Sequence, residues 1–169
     1  MPISNVDSWG GVNESSFSLD LGSGSGQRQV VVVNLQSNSS IPAAATITIG
    51  GTSLPSVATY TYDTGPRTGE APGYRYGRTN IFAGNVSKTG SQTVSCSCSA
   101  TYQVIWGYSY TGVDHHHVST VGSGSGTTSC SRSWTAGAAG SVSVVAGSMW
   151  IVDDLVNCVT QHCRHDRLN

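Results

Sequence analysis

The chain has 169 residues, only 10% of them charged, and a formal net charge of -1, whereas an average globular protein is roughly a quarter charged. Lys88 is the single lysine, so the electrostatic attraction that nucleic-acid and anionic-membrane binding require is missing, and neither is expected as a partner. Hydrophobic residues at 37%, with 4 Trp and 7 Tyr, argue for one packed domain with a neutral, hydroxyl-rich surface rather than for disorder.

Residues 1–14 read as an N-terminal arm whose apolar points are Ile3, Val6 and Trp9. The start has no basic region followed by an apolar run, and no stretch supplies the ~18 apolar residues of a membrane span. From residue 15 to 157 the apolar period is close to two. Phe17, Leu19 and Leu21 alternate with polar residues, and Thr46-Ile47-Thr48-Ile49 does the same. The run Val30 to Val33 followed by Leu35 reads as a strand buried on both faces. Val57 to Tyr62 and Tyr74 to Phe82 are two further strands, separated by a Gly- and Pro-rich loop, Asp63 to Gly73, too long for a tight hairpin.

Strand signals continue at Thr93 to Cys98, Tyr102 to Thr111, Thr127 to Trp134, Ser141 to Val145 and Met149 to Val156. From Val94 to Tyr110 the even positions are almost all apolar and the odd ones almost all polar, which predicts one core face and one wet face. No segment keeps a 3.6-residue period for more than two turns. The fold class expected is therefore all-β, an antiparallel β-sandwich, jelly-roll-like, of nine or ten strands with little or no helix. Residues 158–169 read as a C-terminal tail.

The motifs that could carry chemistry are weak. Two GSGSG runs, Gly22 to Gly26 and Gly122 to Gly126, lead into strands and not into the helix N-terminus that a phosphate loop needs. Asp153 and Asp154 are chain neighbours on one strand and point to opposite faces, so they do not form the convergent pair of a glycosidase. In "SYTGVDHHH" an extended backbone would put His115 and His117 on one face with no third ligand nearby, and the Cys158, His162, Cys163, His165 group lacks the paired spacing of a structural zinc site. Cys96 and Cys98 lie two apart on the apolar side of a strand and, with Cys130, are expected as free thiols. No catalytic residue, metal or cofactor is expected, and the chain is read as a non-enzyme.

Four segments in order, VVVNL (Val31 to Leu35), ATITIGGTSL (Ala45 to Leu54), TGSQTVSCSCS (Thr89 to Ser99) and YQVIWGYSYTGVD (Tyr102 to Asp114), resemble a β-sandwich domain found in many tailed-phage and bacterial proteins. The likeness runs from about Phe17 to Val156 and carries no catalytic motif. A stand-alone copy is similar to the decoration, or cement, proteins of phage capsids. That resemblance implies a virion protein made in the host cytoplasm, a jelly-roll body bound to the major capsid protein, and a homotrimer. The sequence departs from the family pattern at Cys96 and Cys98 and at His115 to His117, none of which supports a new activity. A carbohydrate- or receptor-binding module of a head or tail fibre is the alternative, because exposed Trp and Tyr suit sugar stacking. The partner contacts expected are Ile3, Val6 and Trp9 on the arm, Arg67 and Glu70 on the long loop, and Arg164 and Arg167 in the tail.

Overall fold

In a computed structural model the structure describes residues 3–23, 27–63 and 76–113, together with two short strands at 142–144 and 162–164. Eleven strands and no helix occur among them: β1 (Ser4–Val12), β2 (Ser16–Asp20), β3 (Arg28–Ser37), β4 (Thr46–Ile49), β5 (Thr52–Leu54), β6 (Ser56–Asp63), β7 (Tyr76–Gly84), β8 (Ser91–Ser97), β9 (Tyr102–Thr111), β10 (Val142–Val144) and β11 (His162–Arg164). They form a five-stranded sheet, β1-β9-β3-β7-β6, a four-stranded sheet, β2-β8-β4-β5, and the separate pair β10-β11. Every pairing is antiparallel. The two large sheets form a β-sandwich.

The sandwich core lies where the inward registers of both sheets meet. Leu19, Leu21, Val31, Val33, Leu35, Ile47, Ile49, Phe82, Val94 and Ile105 are among its buried members. The valine run of β3 behaves as its sequence predicts. Val31 and Val33 enter this core, and Val32 joins a second apolar cluster on the far side of the same sheet. Such a run is typical of strands covered on both faces. The hairpin joining β4 to β5 turns on Gly50 and Gly51, at φ 55° and 83°, the positive angles that a type I′ turn needs at both central positions.

The single alternation read from Val94 to Tyr110 is two strands in different phase. In β8 the even residues Val94 and Cys96 face the sandwich core. The chain then crosses between sheets, and in β9 the even residues Val104, Trp106, Tyr108 and Tyr110 form the second cluster. Ile105 joins the sandwich core, and Gly107 lies under Phe17: a β-carbon added at Gly107 would meet that ring at 2.6 Å. The odd face is therefore not wet, and residues 103–110 are all buried. A crossover resets the period-two phase because each strand's faces are defined by its own sheet.

Residues 1–14, read as an arm, lie mostly on the body. Ser4 to Val12 is the edge strand of the larger sheet, paired with β9, with a register shift between Asn5 and Asp7. Two glycines and several polar residues hid this strand from pattern reading. Within residues 158–169, read as a tail, His162 to Arg164 pairs with Val142 to Val144. The strand signals at Thr127 to Trp134 and Met149 to Val156 lie outside the described residues, as do His115 to His117 and Cys130.

Candidate functional site

Arg78 sits on β7 in the register of Asn80 and Phe82, opposite Leu35 on β3 and Thr61 on β6. This register is the inward one, since Phe82 is core. Arg78 therefore comes out at one end of the sandwich, between the loops that follow β3 and β8. There it borders an open cleft of about 600 Å³ whose walls include Ser37, Ser39, Ser40, Ile41 and Thr101. Its Nε donates to the Pro42 carbonyl at 2.7 Å, which fixes the guanidinium and ties down the loop. Ser37 and Ser39 share a hydroxyl hydrogen bond of 3.2 Å.

Among the described residues lining the cleft, Arg78 is the one charged side chain. A guanidinium held by its Nε, surrounded by hydroxyls and one exposed isoleucine (Ile41, 41% exposed), suits a carboxylate presented by a partner, because the planar fork can donate two parallel hydrogen bonds to it. Sequence reading passed over this site. The available signal was an arginine at an inward position of a strand, opposite a serine-rich loop, Ser37 to Ser40.

Of the sequence-predicted contacts, Ile3, Val6 and Trp9 fall on described residues and pack at different places. Ile3 packs beside the second cluster, Trp9 packs on the sandwich core from the other side, and Val6 lies against Gly22. All three are half-buried on their own body. The Arg164 backbone pairs with Val142 in β11. Arg67, Glu70 and Arg167 lie outside the described residues.

A smaller hollow, about 210 Å³, opens by Ser8, Trp9, Gly10, Trp106 and Tyr108. Trp106 and Tyr108 are 8% exposed, so neither ring is presented as a stacking platform. Cys96 and Cys98 are free, the first buried and the second half-buried. Burial pushes the Cys96 thiol up to about 12, aided by the neighbouring Cys98, and burial raises Cys98 as well. Cys98 Sγ donates to the Gln103 side-chain carbonyl. Thiols held protonated in this way are poor nucleophiles. Among the described residues no three of His, Cys, Asp and Glu are grouped to hold a metal ion.

No family model, curated protein or solved structure matches this chain significantly.

Proposed function

We propose that this chain is a structural virion protein, a phage capsid decoration protein that binds the major capsid protein and acts as a homotrimer on the particle. The observation that carries the reading is how the four resembling segments sit together. VVVNL lies in β3, hydrogen-bonded to β9, which bears YQVIWGYSYT. ATITIGGTSL spans the β4-β5 hairpin, and TGSQTVSCSCS spans β8, which pairs with β4. Two neighbouring strands of the five-stranded sheet and three of the four-stranded one thus carry the likeness, as one shared domain would require.

Ile3, Val6 and Trp9 are engaged with the body, so the grip on the partner falls to the Arg78 cleft, with Arg67, Glu70, Arg164 and Arg167 as further contacts. An arginine in a neutral cleft pairs with a capsid carboxylate at modest desolvation cost. The fibre module that binds a glycan is the second reading. It draws on the same hydroxyl-lined cleft, whose serines and threonine could bond a sugar, but none of the described residues lining it is aromatic.

The test is cosedimentation of the purified chain with capsids of the virus that encodes it, prepared without it. Saturable binding that weakens at least tenfold for Arg78→Gln is expected. Absence of cosedimentation for the unmodified chain overturns the reading, and binding to immobilised glycans with no binding to capsids selects the second one.

A further inference from the structure

Cys96 lies in β8, and Cys98 stands one residue past its end. Both pack on the sandwich core, Cys96 buried and Cys98 half-buried, so the two thiols share one side of the strand and the second reaches toward water. Burial is the main reason that both hold their protons, and beyond it each acts on the other. A hydrogen bond from Cys96 favours the ionised form of Cys98, and charge on Cys98 tightens the hold of Cys96 on its proton.

Cys98 is also held in place. Its Sγ donates to the Gln103 side-chain carbonyl. That amide is itself fixed, because Gln103 Nε2 donates to the Glu14 carbonyl and the Gln103 backbone N–H donates to Asn13 Oδ1 at 3.0 Å. The thiol proton of Cys98 thus lies between a sulfur and a carbonyl oxygen, with a second sulfur beside it. A cation put in place of that proton meets both sulfurs and the negative end of the amide dipole.

The chemistry open to this pair is narrow. A disulfide is disfavoured, since extended backbone separates alternate Cα atoms by about 7 Å, the upper edge of what a disulfide spans. Zinc takes four ligands in a structural site and three in a catalytic one, and among the described residues no third His, Cys, Asp or Glu joins the two thiols. Copper(I) is soft, selects thiolate sulfur and is satisfied by two ligands. We propose that Cys96 and Cys98 form a dithiolate site for a soft monovalent metal ion, copper(I), with the Gln103 side-chain carbonyl as a weak third contact. Binding is an exchange in which two S–H bonds break, two S–Cu bonds form and both protons pass to solvent. No electron moves, because the ion enters as copper(I). Thiols that keep their protons in the metal-free chain still yield them here, since a coordinating thiol is deprotonated by its metal.

The experiment is an anaerobic titration of the reduced full chain with copper(I), using bicinchoninate as the competing chelator. The chain carries Cys130→Ser, Cys158→Ser and Cys163→Ser, so that Cys96 and Cys98 are its remaining thiols. One ion per chain is expected, with release of about two protons per ion at pH 7 and an affinity at least tenfold weaker once Cys98→Ser or Cys96→Ala is added. No binding, binding that neither substitution weakens, or release of less than one proton per ion overturns the proposal. If the triple replacement does not fold, the unmodified chain and its Cys98→Ser variant are titrated side by side. The variant is then expected to take up one ion fewer, and equal uptake overturns the proposal.

Discussion

The Trp9 indole lies flat on the Phe17 ring, with centroids 4.2 Å apart and planes 5° from parallel. Trp9 is on β1, the edge of the five-stranded sheet, and Phe17 on β2, the edge of the four-stranded one, so the stack closes one side of the sandwich. Asp7 reinforces it by accepting the Asp20 backbone N–H at 2.8 Å. Phe17 in turn covers Gly107 on the neighbouring strand β9.

Trp9→Ala is expected to cost about 2–4 kcal/mol, a little below the range for fully buried aromatic truncations because Trp9 is only half-buried. Urea unfolding followed by circular dichroism measures it. Deleting residues 1–9 removes most of β1 with the stack, so it is expected to abolish cooperative unfolding rather than trim a free arm. A deletion variant that melts like the full chain would show β1 to be dispensable.

Gly107→Ala tests the other side of the same contact. The added methyl meets two carbons of the Phe17 ring at 2.6 Å, and the Trp9 ring stacked flat on Phe17 limits how far that ring can shift. Overpacking of this kind costs about 1–3 kcal/mol. In the double variant with Trp9→Ala the ring has room to move, so the two losses should sum to more than the measured total.

Ser109→Ala is expected to stabilise. Ser109 is fully buried, and its Oγ has no hydrogen-bond partner. Removing an unsatisfied buried hydroxyl, at the expense of a one-atom gap, relieves about 1 kcal/mol, seen as a higher urea midpoint with an unchanged slope.

The body of the fold was legible because its strands are amphipathic or doubly buried. Phe17 and Leu19, Ile47 and Ile49, and the valine run of β3 declare their faces by spacing alone. What escaped was set by tertiary context. The phase of β9 depends on a crossover between sheets that no residue at 99–101 announces. β1 holds its place by backbone pairing with β9 and by one ring stack, so its glycines and polar residues hide it. The anchors Ile3, Val6 and Trp9 were recognised as apolar, and that they also pack on their own chain follows from that pairing. Arg78 was invisible as a site because its setting comes from a loop some forty residues earlier.

Arg78→Lys is expected to loosen the cleft. Nε donates to the Pro42 carbonyl from a half-buried position, and a lysine ammonium cannot reproduce that fork geometry. A loss of about 1–2 kcal/mol is expected for this charged hydrogen bond, with faster amide exchange in residues 39–43. Unchanged exchange there would mean that the loop holds its shape without Arg78.

Stability should fall in alkali, and Cys96 provides the sign. Its thiol is pushed from an ordinary value of 9.0 up to about 12, chiefly by burial. Between those limits the unfolded chain has lost the thiol proton and the folded chain still holds it. The native state then binds more protons, so unfolding free energy decreases as pH rises. Stabilisation from the neutral thiol is complete below pH 9 and is lost as pH climbs toward 12, at up to about 1.4 kcal/mol per unit for one group. Cys98 and Tyr110, both raised chiefly by burial, act in the same direction. Cys96→Ala forfeits some packing at neutral pH but carries no thiol to titrate. Its deficit relative to the unmodified protein should therefore shrink by about 1 kcal/mol per unit above pH 9, read from urea titrations at pH 8, 9 and 10. Parallel curves would mean that the buried thiol ionises as readily in the folded chain as in the unfolded one.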